Sequence, residues 1–364
     1  MRIGVITHNY PPHIGGLEVI VRELTKGYAK RHDVVVVSTA WDGQSGVSRE
    51  DGATVHRLPA WHGAEELGVP YAMPLGPGVR AAITALRTCD VLHAHGSLYA
   101  TTILGLLARR RGVPLFTTEH VGFVPYSSAA LNLVQRLAWK MIGEPVTRRS
   151  TRVIAYNSRV RDWVAGRVGM DNVAFIVNGV DNLTFRPRDL ADRHAARVRL
   201  KLPQEPVLGL FVGRDAQKKN LEAVLNFPAN SYQLMVCGAR RTLPPRVLNL
   251  GTVPHDVMPD VFAAADFLLH AATGEGFPVT VQEAMASGLP VILLWDEGYE
   301  GSVDGDAVIA VESLEQMAGT AEQLATSAEQ RNEWRRRSRA FAERNWSWDA
   351  AVERHLALFR SALA

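Results

Sequence analysis

Only two cysteines occur in the chain, Cys89 and Cys237. They stand far apart and without metal-ligand spacing, which excludes a disulfide framework and a cysteine-held zinc as organising devices. They read as buried free thiols in a reducing compartment, because free cysteine packs as a small hydrophobe. No apolar run approaches the roughly 18–20 residues that a membrane-spanning helix needs. The opening stretch MRIGVITHNYPP has too little apolar length for a secretory leader. Charge of one sign is also scarce: 40 basic against 37 acidic side chains leave a net +3. That balance gives no call for nucleic acid and still suits an anionic small substrate. The expectation is a cytoplasmic protein, with peripheral contact to a membrane surface left open. The dinucleotide fingerprint G-x-G-x-x-G is missing, which disfavours a nicotinamide enzyme.

What is present is alternation. A length of 364 residues suits two domains of about 150–200 residues each. In the first half the runs 2–8, 33–39, 54–58, 90–95, 113–120 and 151–158 are rich in Val and Ile and almost continuously apolar. That is the mark of strands covered on both faces, hence of a parallel sheet. Helical patterns lie between them, including Leu17, Ile20, Val21, Leu24 and Tyr28 at helical spacing and a long stretch at about 129–149. The segment FIVNGVDNLTFRP (175–187) breaks the rhythm and reads as a strand end and linker. The alternation then restarts with strands at 206–213, 232–238, 266–271 and 289–295. Two doubly wound α/β halves joined by a hinge are expected to face a central cleft at their strand C-terminal ends. The tail from about 311 is helical. Its five arginines between 331 and 339 read as a solvated helix face.

Three constellations carry chemistry. PPHIGGLE (11–18) follows the first strand and opens the first helix, so Gly15 and Gly16 let a diphosphate approach a helix N-terminus. FVGRDAQKKN (211–220) sets Arg214 and Lys219 after a strand, a planar fork and a point charge suited to a leaving diphosphate; Lys218 is an alternative to Lys219. EGFPVTVQEAMASG (275–288) has Pro278 at the expected first turn of a helix and Gly288 at its exit. The N–H groups of Val279 and Thr280 would meet an anion there. Glu275 and Glu283 would take the hydroxyls of two rings on either side of it. The plain alternatives are a structural turn, a basic surface turn and two ordinary exposed acids.

Together these segments resemble the retaining glycosyltransferases of family 4, which have the GT-B fold: two Rossmann-like doubly wound α/β domains facing a central cleft. The resemblance spans nearly the whole chain, through GGLE, DVLHAH, PLFTTEH, NGVD with FRP, VGR followed by KN, EGFPVTVQEAMASGLPV, EGSVDGD and WSWDAAVERHLALF. Its most specific part is the pair Glu275 and Glu283, with seven residues between them, preceded by Arg214 and Lys219. The resemblance implies an acceptor-binding domain at 1–182 and a nucleotide-sugar-binding domain at 183–345, with the segment 346–364 crossing back to the first.

The same resemblance implies roles. Glu283 would bind the ribose and Glu275 the transferred sugar, on a donor loop that includes Gly276, Phe277, Pro278, Val279 and Thr280. Arg214 and Lys219 would neutralise the diphosphate while the Gly15–Gly16 turn closes over it. His120, in TTEH, would touch the donor sugar. The implied reaction moves a sugar, most simply a hexose, from a UDP- or GDP-sugar to an acceptor hydroxyl with retention, without metal or other cofactor. The acceptor is a sugar, lipid-linked or natural-product scaffold, met by loops that carry His13, Trp61, Tyr71, His95, Phe123 and Tyr126. His8 and His93 are further histidines close by, read as structural. The basic segments 108–112 and 147–152 would face solvent or anionic headgroups. Tyr299 stands where many family members have glycine, which questions the fit of the donor there. The rival readings are a nucleotide-sugar epimerase on the same fold and a non-catalytic nucleotide-sugar-binding subunit. Oligomeric state is not legible.

Overall fold

The computed structural model describes all residues except 14, 42, 64–71, 121, 123–128, 275 and 276. The chain divides into two compact units, Met1–Asn178 with Trp348–Ala364, and Gly179–Ser347.

Unit 1 contains the strands β1 (Arg2–Ile6), β2 (Asp33–Thr39), β3 (Gly46–Glu50), β4 (Ala53–Leu58), the short ribbon pair β5 (Ala60–Trp61) and β6 (Met73–Pro74), then β7 (Val91–His95), β8 (Leu115–Glu119), β9 (Arg152–Ala155) and β10 (Val173–Phe175). Its helices are α1 (Gly16–Ala29), α2 (Gly78–Arg87), α3 (Ala100–Ala108), α4 (Ala129–Ala138), α5 (Glu144–Arg149) and α6 (Ser158–Val168). Eight strands form one sheet in the order β10-β9-β8-β7-β1-β2-β4-β3. Every neighbouring pair is parallel except β3 and β4. The Val34–Val37 run is at most 1% exposed, as a strand covered on both faces must be.

The antiparallel edge β3 was not foreseen. Its sequence GVSRE is mostly polar, and Val47 is 63% exposed. The signal that announces it is Asp51-Gly52, a two-residue turn with φ of 50° and 82°, the primed geometry that closes a hairpin. The charged edge also discourages pairing with another chain.

Unit 2 contains α7 (Leu190–Arg199), β11 (Leu208–Val212), α8 (Leu221–Leu225), β12 (Gln233–Cys237), β13 (Leu248–Gly251), α9 (Met258–Ala264), β14 (Phe267–His270), α10 (Val279–Ala286), β15 (Val291–Leu294), β16 (Ile309–Val311), α11 (Leu314–Thr326) and α12 (Ala328–Asn345). Its sheet runs β13-β12-β11-β14-β15-β16, parallel throughout. Val180 and Ser347 form an isolated parallel bridge, so the chain enters and leaves this unit side by side. Trp346 is 1% exposed and packs with Phe341 and Phe277 at 5.1 and 5.4 Å. That ring fixes the end of unit 2, after which α13 (Trp348–Ser361) belongs to unit 1. There Phe359 lies 5.7 Å from Tyr28 and 4.8 Å from Phe116.

The arginine run of α12 corrects the expectation of a solvated face. Arg331 donates to the Leu324 and Ala325 carbonyls at the end of α11, and Arg339 to those of Phe185 and Ala286. Arg335 pairs with the buried Asp266, which also holds Arg193 and Arg197. Cations at helix C-termini satisfy the last carbonyls and complement the dipole, so three of the five arginines stitch α12 to the unit. Cys89 and Cys237 are buried free thiols, and burial raises both to about 11. Among the described residues no helix is long and apolar enough to cross a membrane.

Candidate functional site

In a doubly wound sheet, ligands meet the strand C-terminal ends where the winding reverses. In unit 1 that reversal lies between β1 and β7, and in unit 2 between β11 and β14. The sequence-predicted groups of the described residues gather at these two edges.

At the unit 1 edge, β1 leads to His8, β7 ends on His95 and β8 is followed by His120. The His8 ring stacks on Tyr99 at 4.5 Å and accepts the Ala72 N–H at Nε2. His95 Nδ1 and His120 Nε2 share a proton at 3.0 Å. Beneath them His93 bonds Thr118 Oγ1 at 2.7 Å, and its ring lies 5.4 Å from that of His355 on α13. Burial is the chief cause that lowers His8 to about 4 and His120 to about 3, and holds His93 and His95 well below the usual histidine range. These rings are therefore neutral at physiological pH and act as hydrogen-bond groups, not cations. His120 Nδ1 is buried with no partner among the described residues.

His95 was expected at the acceptor. It is 0% exposed, because it sits on the strand below His120, and its contact is with that ring. Glu119, unmentioned by the sequence reading, accepts the Ser97 N–H at 2.9 Å and is 4% exposed. Burial raises it to about 7 against the opposing pull of Ser97. It ties the loop after β7 to the end of β8, and so to the backbone that carries His120.

The α1 entrance is tightly built. Gly15 is its extended N-cap, and a Cβ there would stand 2.3 Å from Glu18 Oε2. Glu18, 5% exposed, bonds His13 Nδ1 at 2.6 Å. The glycine is thus required by the buried carboxylate folded over the helix start. His13 also meets Trp41 edge-on at 4.7 Å. Trp61 stands 55% exposed on the β5–β6 ribbon.

At the unit 2 edge, β11 runs into Gly213 and the exposed Arg214, and a turn at Gln217–Lys219 presents the half-buried Lys219. This turn is tied to the loop after β14: Asn220 Nδ2 donates to the Ala271 carbonyl and the Thr273 N–H to the Lys218 carbonyl. Asp296 holds the same loop from the end of β15, accepting the N–H groups of Gly274 and Gly298. The loop leads to α10. Pro278 is its extended N-cap and not a first-turn residue, with ψ of 127°; the helix starts at Val279, one residue later than the Pro signal suggests. Val281 N–H already bonds the Pro278 carbonyl, so the N–H groups of Val279 and Thr280 precede the first intrahelical bond.

Glu283, one turn in, is 5% exposed and not the surface acid of the plain reading. Burial raises its pKa while a 2.6 Å bond from His255 opposes the rise. Phe277 is buried against Tyr299 at 5.7 Å. Tyr299 is 0% exposed, so its ring fills the core and takes no room from a ligand. Among the described residues no group of three or more His, Cys, Asp or Glu could hold a metal ion.

Residues 14–182 match the family described as Glycosyltransferase Family 4, and residues 192–341 match Glycosyl transferases group 1. The chain belongs to glycosyltransferase family 4. Among the similar proteins is the GDP-mannose-dependent alpha-mannosyltransferase of Mycolicibacterium smegmatis, 28% identical over 80% of this chain and 79% of that one. Another is the GDP-mannose:cellobiosyl-diphosphopolyprenol alpha-mannosyltransferase of Xanthomonas oryzae pv. oryzae, 23% identical over 100% of this chain and 97% of its own length. The crystal structure of HepE from Anabaena in complex with UDP shares the fold, with a TM-score of 0.77 at 19% identity over 99% of this chain and 100% of that one. The glycosyltransferase is thus of the GT-B type, built from two Rossmann-like domains with parallel sheets.

Of the residues foreseen for this enzyme, Glu275, Gly276, Tyr71, Phe123 and Tyr126 lie outside the described residues. Those missed are His255, Glu119, Glu18 and His355. Glu18 is visible in GGLE as the acid of a first helical turn. The other three reach the site through contacts that no local spacing announces.

Proposed function

We propose that the enzyme transfers a hexosyl group from a nucleoside-diphosphate sugar to an acceptor hydroxyl, with retention and without a metal. GDP-mannose is the first donor to test, since the M. smegmatis and X. oryzae relatives are named for it. The observation that carries the reading is the buried Glu283 carboxylate one turn beyond the open N–H groups of α10. A buried carboxylate is costly unless its oxygens are used, and two vicinal ribose hydroxyls are donors it can accept.

In this reading the α10 N-terminus, Arg214 and Lys219 meet the diphosphate, and their fixed charges and dipoles stabilise the leaving group as a metal would. Phe277 shapes the loop and Glu275 and Gly276 meet the transferred sugar. On unit 1, His120, neutral and with a buried Nδ1 to offer, is a hydrogen-bond group for a sugar hydroxyl. The bond from the anomeric carbon to the β-phosphate oxygen breaks. The acceptor oxygen bonds the same carbon on the same face, and its proton passes to the departing phosphate oxygen. Incubation with GDP-mannose and candidate acceptors, with anomeric NMR of the product and a chelator control, tests every part. An inverted product or loss of turnover on chelation removes the corresponding clause. Epimerised donor without transfer would favour the epimerase.

The acceptor side extends to a membrane. Leu133, Val134, Leu137 and Met141 are 56%, 60%, 49% and 74% exposed on and just beyond α4. The exposed cations Arg136, Lys140, Arg148 and Arg149 lie along the same stretch. An apolar row among cations suits an anionic bilayer surface, and the X. oryzae relative is named for a polyprenol-linked acceptor. Cosedimentation with phosphatidylglycerol vesicles should be lost in a Leu133→Asp/Leu137→Asp variant and absent with phosphatidylcholine alone; equal pelleting of both proteins would remove the proposal.

A further inference from the structure

We propose that His255 is the positioning residue of the donor site, fixing Glu283 as an ionised, correctly turned acceptor for the ribose diol and so setting the preference for ribo- over deoxyribonucleotides. The inference rests on the donor-site reading of Glu283 given above.

The two residues come from different elements. His255 opens a turn, His255–Val257, between β13 and α9, after the extended Pro254. Glu283 projects from α10 and is almost wholly buried, whereas the His255 side chain is 44% exposed. The His255 ring lies 5.6 Å from that of the buried Phe185, which limits its swing, and its Nε2 stands 2.6 Å from Glu283 Oε1. An ionised carboxylate only accepts, so Nε2–H is the donor in this contact.

A carboxylate offers about four lone-pair sites. With one used by the imidazole, the remaining sites can take two neighbouring hydroxyls, each donating. Without His255 the same buried carboxyl group would lose the one side-chain hydrogen bond it makes among the described residues. Desolvation would then favour the protonated acid, which presents a donor of its own and turns freely about χ3. Such a group no longer distinguishes a 2′-hydroxyl from a 2′-hydrogen. His255 touches the nucleotide only through Glu283, so its loss acts on binding and not on the bond-making step.

Calorimetry on the full chain with GDP, 2′-deoxy-GDP, UDP and 2′-deoxy-UDP tests this. The wild type should prefer the ribonucleotide of the base it binds by about tenfold or more, the range of a hydrogen bond to a charged group. His255→Ala should weaken the ribonucleotide by a similar factor, leave the deoxynucleotide nearly unchanged, and so erase the preference. His255→Gln carries an N–H the same number of bonds from Cβ as Nε2 and should restore it. With GDP-mannose, His255→Ala should raise KM and hold kcat within about threefold, as loss of uniform binding does.

Glu283→Gln separates the two levels of the argument. If it abolishes nucleotide binding while His255→Ala, folded by circular dichroism, keeps the ribo preference, the inference is overturned and the donor site stands. If Glu283→Gln binds nucleotide as the wild type does, or the wild type binds neither base, reading and inference fall together. Loss of preference in His255→Ala without rescue by His255→Gln would also overturn the positioning role.

Discussion

At the C-terminal edge of the unit 1 sheet, His8, His93, His95 and His120 are kept neutral by burial, whereas the same edge of the unit 2 sheet carries Arg214, Lys219 and the open start of α10. Among the described residues each unit also holds a His–Glu contact of 2.6 Å on a helix's early turns, His13 with Glu18 and His255 with Glu283. The sheets share their winding, so the contrast comes from the side chains set on equivalent loops. Neutral rings suit the hydroxyls of sugars, which need direction and no charge. A cationic edge suits a diphosphate. The two His–Glu contacts differ in consequence as well. Glu18 folds back over its own helix start and excludes a side chain at Gly15, while Glu283 lies beyond the N–H groups that an anion would meet.

The largest test of this contrast exchanges the two acids. Glu283→Gln should weaken GDP or UDP binding at least about a hundredfold, through loss of charge-assisted bonds in a buried site. Glu18→Gln should change it by less than about fivefold, since Glu18 is engaged within unit 1. Calorimetry on both variants decides, and equal losses would dissolve the distinction. Next, His120→Ala should lower kcat by about a hundredfold, in the range of a lost transition-state hydrogen bond, with nucleotide affinity nearly unchanged. Because His120 titrates near 3, it stays unprotonated from pH 8 down to pH 5. Any acid limb in the rate profile across that range must arise elsewhere and survive in the variant.

Smaller effects belong to the cationic edge and to Glu119. Lys219→Ala should reduce kcat/KM about tenfold, the worth of one exchangeable charge among several, and the deficit should shrink at high salt. Glu119 titrates near 7 in the fold against a usual 4.5. A raised pKa means its stabilising contribution is full below about 4.5 and is lost as pH rises through 7. Glu119→Gln should therefore flatten the fall of Tm between pH 5 and pH 8, by a few degrees for a chain of this size. An unchanged Tm–pH curve would show that the carboxyl group is better solvated than its burial implies.

Much of this was legible in one dimension. The uninterrupted Val run 34–37, the restart of alternation after 187 and the helix that carries Glu283 are local signals, and each follows from chain geometry alone. The polar strand β3 escaped because its apolar content is low, although its Asp-Gly turn was in view. The arginines of α12 were misread because a run of cations looks the same whether it faces water or caps the ends of other helices. Nothing in the spacing of PHDV and QEAM links His255 to Glu283, and nothing in RHLALF links His355 to the ring of His93.

The sequence by itself determined the two α/β layers, the family and the order of the candidate groups, because apolar period, turn residues and motif spacing act over a few residues. Only the tertiary structure decided which of those groups are buried, which rings are neutral and which acid has a partner. Burial and pKa depend on neighbours that arrive from distant segments, and a chain read in order does not contain that distance.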